Sequence, residues 1–250
     1  MSETTEDTLL GGRVRLRQPL AGQLRAGLDA VLLASALPAH PGERVLEAGC
    51  GSGAAMLCLA ARVPGLALLG VERDPTMAAL ATANAELNGA AAMVVQGDVA
   101  DIGLARRLMQ EFGAWDQAMA NPPYWPAGTA PPAPGRAAAT HEQGAGLPEW
   151  AGFMAAGLRH GGWLALVLPA ARFDAGAAAL SGAGCGSLKL VPLWPRAGTA
   201  AKRVLLLGRK GGRGPASVLP GLVLHATDGG WTPAASAVLR DASALTLGPP

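Results

Sequence analysis

The sequence predicts an α/β fold, a mostly parallel sheet with helices on both faces, and three observations carry that prediction. Downstream of Arg44, short apolar runs alternate with helical stretches, the pattern of parallel strands joined by covering helices. The first apolar run ends in a glycine-rich turn, Glu47-Ala48-Gly49-Cys50-Gly51-Ser52-Gly53, which opens a helical stretch. Polar residues then close the next three runs in order: Glu72, Asp98 and Asn121.

The elements follow one another as such a fold requires. Residues 44–48 read as the first strand and 53–63 as its helix. Residues 66–71 are a second strand, and 75–88 a second helix that Gly89 stops. A third strand spans 92–96, a short helix 104–112 and a fourth strand 115–120. That strand runs directly into Asn121-Pro122-Pro123-Tyr124, after which a Pro/Gly-rich segment reaches residue 146 and reads as a loop or lid. Residues 147–159 form a helix, 162–168 a strong fifth strand and 170–180 another helix. Residues 187–193 and 203–207 are a final pair of strands. A helix is expected at 29–37 within the segment before the first strand, and 211–250 is Pro-rich and weakly periodic. One domain, 41–210, thus stands between an N-terminal extension, 1–40, and a C-terminal one, 211–250.

Composition narrows the class. At 250 residues, half of them hydrophobic and 15% charged, the chain buries a substantial core and does not read as disordered. Three cysteines, Cys50, Cys58 and Cys185, form neither a CxxC pair nor a Cys/His cluster, which argues against a disulfide framework or a structural metal. The first residues carry acids where a secretory leader carries bases, and Gly, Pro or Arg interrupts every apolar stretch short of membrane-spanning length. A soluble, cytoplasmic protein without metal or membrane partner is expected.

The glycine turn points to its ligand. Glycines between a strand and a helix let the backbone turn sharply and approach a ligand without a Cβ. The spacing here is G-x-G-x-G rather than the G-x-G-x-x-G of dinucleotide enzymes, and Glu47 lies two residues before Gly49. A carboxylate there repels a pyrophosphate and suits a cofactor bearing an ammonium group, which favours S-adenosyl-L-methionine over NAD. Glu72, with Arg73 beside it, closes the second strand about 20 residues past the glycines, where an acid reaches ribose hydroxyls. Asp98, followed by Val99, is placed after the third strand to accept from an adenine amino group.

Asn121, Pro122, Pro123 and Tyr124 supply an acceptor site. An exocyclic amino group on an adenine is a poor nucleophile because its lone pair is delocalised into the ring. The Asn121 side-chain carbonyl and the Pro122 backbone carbonyl are suited to accept its two N–H bonds and aim the lone pair at a sulfonium methyl. Two prolines stiffen the turn, so the acceptors are preorganised. Tyr124, the only tyrosine, offers a face on which the base stacks.

With these residues in view, the chain resembles the class I S-adenosylmethionine-dependent methyltransferases that bear the NPPY motif. More narrowly it resembles the bacterial tRNA (adenine-N6) methyltransferases that modify a valine tRNA beside its anticodon. The resemblance runs from Gln18-Pro19 and the segment from Arg25 to Ala34, through the EAGCGSG loop and NPPY, to Leu193-Trp194-Pro195 and Lys202-Arg203-Val204. It implies a Rossmann-like, seven-stranded sheet with the last strand antiparallel. It also implies cofactor contacts from Gly49, Cys50, Gly51, Gly53, Glu72 and Asp98, an amino-group clamp at Asn121 and Tyr124, and an N-terminal segment about Arg25 packed over the cofactor. Glu47 stands where aspartate is commoner in the family, and Leu24 where an aromatic often precedes the arginine.

Charge distribution points to the acceptor. Between Asp7 and Asp29 there are four arginines and no acid, and between Asp174 and Asp228 seven cations and no acid. The second stretch includes Arg196, Lys202 and Arg203, which with Trp125 and Arg136 of the Pro-rich segment are the expected RNA contacts. Methylation of an RNA adenine, most naturally in tRNA, is therefore the expectation. Within the class, the alternatives are guanine-N2 methylation of ribosomal RNA and methylation of a protein glutamine. An NAD-dependent oxidoreductase and a non-catalytic RNA-binding factor are the rivals from other classes. A monomer and a homodimer are both compatible with the sequence.

Overall fold

The structure, a computed structural model, describes residues 4–20, 27–123 and 145–247. Two strands, β1 (Thr4–Leu9) and β2 (Val14–Pro19), form an antiparallel hairpin ahead of the helix α1 (Leu28–Ala36). Then follow β3 (Arg44–Ala48), α2 (Ala54–Arg62), β4 (Ala67–Glu72), α3 (Pro75–Leu87), β5 (Ala92–Gln96), α4 (Ile102–Phe112) and β6 (Trp115–Ala120). Beyond residue 144 come α5 (Leu147–Ala156), β7 (Leu158–Pro169), α6 (Phe173–Gly182), β8 (Cys185–Arg196) and β9 (Arg203–Lys210). Two short strands, β10 (Ser217–Val218) and β11 (Leu222–His225), and the helix α7 (Pro233–Arg240) complete the described elements.

The large sheet runs in the order β10-β8-β9-β7-β6-β3-β4-β5, with β11 on the same edge of β8 as β10. Strand β9 is antiparallel to β7 and β8, and every other pairing in the sheet is parallel. The seven strands β3 to β9 thus match the expected seven-stranded arrangement with its last strand reversed. From β3 the chain builds outward to β5 and then crosses back to β6, so the order reverses between β3 and β6. Ligands of doubly wound sheets bind in the crevice beyond the strand ends at such a reversal.

Each central strand is apolar on both sides, as a doubly covered sheet demands. Val45, Leu68, Ala165, Val167, Leu205 and Leu207 face one layer, packed with α1, α2 and residues of α3 and α7. Their neighbours Leu46, Leu69, Leu164, Leu166 and Leu206 face the other, with α4, α5 and α6. Burying one such side chain contributes about 2 kcal/mol, so a one-residue slip would exchange entire layers at great cost.

Helix starts follow the capping residues. Asp74 accepts from the N–H groups of Thr76 and Met77 at 2.7 and 3.2 Å, Asp101 from Leu104 and Thr232 from Ala235. Gly89, at φ +61°, ends α3 with Ala90 N–H donating to the Ala85 carbonyl at 3.0 Å, as its position in the sequence predicted.

Several boundaries depart from expectation, and β8 and β9 run beyond the expected 187–193 and 203–207. The helix expected over 147–159 stops at Ala156, and β7 starts at Leu158 rather than 162. The cause is Trp115: its indole N–H donates to the Met154 carbonyl at 2.7 Å, and its ring lies where a side chain at Gly157 would stand. The helix expected over 170–180 begins as a 3-10 turn, Ala170–Arg172, and becomes α-helical only from Phe173.

The segments outside 41–210 carry more order than their sequence indicates. Residues 217–225 add strands to the edge of β8, and α7 packs against α1, β11 and the turn at Leu10–Gly12. The Arg13 guanidinium donates to the Arg240 carbonyl, and Leu245 N–H to the Ser35 carbonyl at 2.9 Å, so the two chain ends are fastened to one another and to α1. Among the described residues no helix is long and apolar enough to cross a membrane, and no three His, Cys, Asp or Glu side chains cluster so as to hold a metal.

Candidate active site

Strand register brings the predicted residues to one edge. Ala48 pairs with Val71 on one side and Ala120 on the other, and Glu72 pairs with Gln96. Gly49, Glu72 and Asn121 therefore leave the sheet side by side, and Asp98 follows two residues after Gln96. This is the carboxyl edge at the order reversal.

The loop after β3 turns through three alternate glycines with positive φ, of which Gly49 (+63°) is the most constrained. The Trp150 ring from α5 occupies the space that a Cβ at Gly49 would take, so the residue needs both the left-handed backbone and the missing side chain. Cys50 N–H donates to the Val71 carbonyl at 3.1 Å and Gly53 N–H to the Cys50 carbonyl at 2.8 Å, which fixes the loop before α2 begins.

Both strand-end acids brace this loop. Glu72 Oε2 accepts from Gly51 N–H and Oε1 from Asp74 N–H, each at 2.9 Å. Glu47 is 3% exposed, and its Oε2 accepts from Met56 N–H, in the first turn of α2, at 2.8 Å. Burial pushes the Glu47 carboxyl up to about 8; the Met56 N–H opposes that rise, and the charge of Glu72 adds to it. The Glu72 carboxylate thus disfavours a second negative charge on Glu47. Burial pushes the Cys50 and Cys58 thiols up, with Glu47 reinforcing the effect in both, so neither is an activated nucleophile.

Asp98 is exposed and bends its loop by accepting from Ala100 N–H at 2.9 Å, while Val99 is buried beside it. Arg73 is exposed just past Glu72. Asn121 is half-buried and Pro122 buried, with Pro123 half-buried after them. Tyr124, Trp125, Arg136 and Arg25 lie outside the described residues. Arg196 and Lys202 are exposed at this same end of the sheet. Arg203, expected to meet RNA, donates from Nε to Asp29 at 3.1 Å and so ties β9 to the first turn of α1.

Two asparagines that sequence reasoning passed over support the loop. Asn84 of α3 and Asn88, which caps its end, lie one turn apart and pair with alternate residues of β2. Asn84 exchanges hydrogen bonds with the Arg17 backbone, accepting at 2.9 Å and donating at 3.0 Å, and Asn88 does the same with Arg15. A spacing of four on a helix thus matches a spacing of two on a strand. Asn84, fully buried, also donates to the Ser52 carbonyl at 2.9 Å and so links the N-terminal hairpin to the glycine loop. The available signal was two asparagines inside a helix, which disfavours them unless their amides are used. Trp150 was likewise passed over; its indole nitrogen is buried and has no hydrogen-bond partner among the described residues.

Residues 45–112 match a family model described as a methyltransferase domain. The tRNA1(Val) (adenine(37)-N6)-methyltransferase of Aeromonas hydrophila is 32% identical over 208 residues, covering 82% of this chain and 84% of its own. Among solved structures, a predicted O-methyltransferase, protein Atu636 of Agrobacterium tumefaciens, superposes with a TM-score of 0.71 at 27% identity, over 88% of this chain and 98% of that one. The Thermus thermophilus 16S rRNA N2 G1207 methyltransferase shares the fold, with a TM-score of 0.55 at 21% identity over 83% of this chain and 50% of its own. With that identity spread over most of both chains, the chain belongs to the tRNA1(Val) (adenine-N6)-methyltransferase family of class I S-adenosylmethionine-dependent methyltransferases.

Proposed function

We propose that this protein transfers a methyl group from S-adenosyl-L-methionine to the N6 amino group of an adenine in tRNA, and that it does so in the cytoplasm. The observation that carries the reading is the register that sets Asn121 level with Gly49 across β3 and β6. It puts an amide acceptor next to a loop suited to the donor.

The residues present fit that donor. The loop at Gly49 leaves no room for a side chain and exposes backbone instead, and Glu47 and Glu72 make a site that favours a positive group. Glu72 retains acceptor capacity for ribose hydroxyls beyond its two backbone bonds, and Asp98 with Val99 offers a carboxylate beside an apolar wall for the adenine. When bound, the donor supplies a sulfonium methyl whose sulfur is the leaving group. Asn121 and the Pro122 carbonyl hold the acceptor amino group by its two N–H bonds, which turns the nitrogen lone pair out of conjugation. The nitrogen becomes acidic as the new N–C bond forms and releases its proton without a tuned base. Alignment then supplies most of the rate. We assign residues 1–40 as a cover over the donor, supported by the Asn84 link between β2 and Ser52. Arg196 and Lys202 are assigned to the RNA backbone.

Purified protein with unmodified tRNA and S-adenosyl-L-methionine should yield N6-methyladenosine by nucleoside mass analysis, and Asn121→Ala should abolish it while calorimetry finds donor affinity nearly unchanged. NAD binding in place of S-adenosyl-L-methionine would overturn the cofactor assignment. An unchanged N6-methyladenosine profile in tRNA from a deletion strain would overturn the substrate.

A further inference from the structure

The basic stretch between Asp174 and Asp228 does not form one surface. Strand β9 crosses the sheet, so its two ends emerge at opposite edges, and its antiparallel direction puts its start on the side where the other strands end. Arg203 pairs with Pro169 and Leu193, on the side of the glycine loop. Arg209 pairs with Trp163, and Lys210 with Cys185, at the far side. Six residues of extended chain separate Arg203 from Arg209, roughly 20 Å.

At the far end lies a cavity of about 760 Å³ lined by His160, Ser187, Arg209, Lys210, Arg213 and the glycines around them, with no carboxylate in its wall. The site is built rather than incidental. Arg209 Nε donates to the Gly161 carbonyl at 3.0 Å and Lys210 Nζ to the Ala183 carbonyl at 2.8 Å, which holds both cations in place. Gly214 N–H donates to Ser187 Oγ and Gly212 N–H to the Arg209 carbonyl, each at 2.9 Å, so the turn is fixed. The His160 imidazole stands where a side chain at Gly211 would be, and Gly211 holds φ +68°. No ion pair neutralises Arg209, Lys210 or Arg213 among the described residues. Unpaired cations around a concave wall concentrate positive potential and gather polyanions.

We propose that this cavity is a second anion site, taking the phosphodiester backbone of the RNA at a distance from the nucleotide being methylated. The inference rests on the RNA reading above. A polyanion suits it better than a single phosphate because cations recur at both ends of β9. At roughly 1.7 Å of helix axis per charge, their separation spans about a dozen phosphate charges of a duplex.

The test is binding of a full-length unmodified tRNA transcript to the full chain across a salt series. Arg213 is exposed and makes no hydrogen bond among the described residues, so Arg213→Gln removes the charge without touching the fold. Its log K against log salt should fall less steeply by about 0.7–0.9, and Arg209→Gln with Arg213→Gln by about twice that, with severalfold weaker binding. Arg106→Gln removes the same charge from the exposed face of α4 and should keep the wild-type slope. An unchanged slope in Arg213→Gln, or an equal fall in Arg106→Gln, overturns the proposal. Inorganic phosphate that binds the wild type but not Arg213→Gln, with tRNA binding identical in both, overturns it in favour of a small-anion site. Failure of the wild type itself to bind tRNA instead overturns the substrate reading and removes the ground for this site.

Discussion

Replacing Glu47 by glutamine removes a carboxyl that the fold holds in its neutral form. The group is fully buried, its value rises from the ordinary 4.5 to about 8, and burial is the main cause. A folded-state value above the unfolded one means that the folded protein holds the proton more tightly. The stability contributed is therefore complete below about 4.5 and is lost as pH climbs toward 8. At about 1.4 kcal/mol per pH unit, the loss across that window is at most about 5 kcal/mol. Glutamine keeps a side-chain carbonyl for the Met56 N–H and has no proton to lose. Urea unfolding at pH 5 and pH 8.5 should show Glu47→Gln gaining on the wild type by several kcal/mol at the higher pH. The donor's ammonium should supply the charge that the ionised carboxyl wants, so wild-type affinity for S-adenosyl-L-methionine should strengthen from pH 6 to 8 more than the variant's. Parallel stability profiles for the two proteins would refute the claim that Glu47 is buried and neutral, and with it the cation-favouring site.

Two further substitutions probe the support of the loop. Asn84→Ala strands the Arg17 N–H and the Arg17 and Ser52 carbonyls, and should cost about 2–4 kcal/mol in chemical unfolding while weakening donor binding. Gly49→Ala forces a methyl group into the Trp150 ring at a left-handed backbone position, and should lower donor affinity in calorimetry together with the Tm; a variant with wild-type affinity would show that the close approach is dispensable.

Much of the fold and the place of the glycine loop was legible in the chain because the signals are local. Strands β3, β5 and β6 begin and end where their apolar runs do, since parallel strands buried on both faces tolerate nothing else. Three alternate glycines, an acid before them and an acid or amide at each following strand end are readable without knowing what lies beside them. The position of Asn121 just past β6 was legible for the same reason. The supports were not, because each is a contact between distant segments. Nothing near Trp115 says that its indole will end a helix some forty residues later, and nothing near Asn84 says that its amide will serve as a rung for a strand in the N-terminal hairpin.

Charge shows the division most plainly. Composition and spacing determined that this protein carries long acid-free basic stretches, because ionisation belongs to the residue. Tertiary structure alone decided where they lie. Pairing with Asp29 took Arg203 out of the free set, and the reversal of β9 set Lys202 at the glycine-loop edge and Arg209 and Lys210 at the far one. Strand direction is set by hydrogen-bond register between segments far apart in the chain, and no local pattern encodes it.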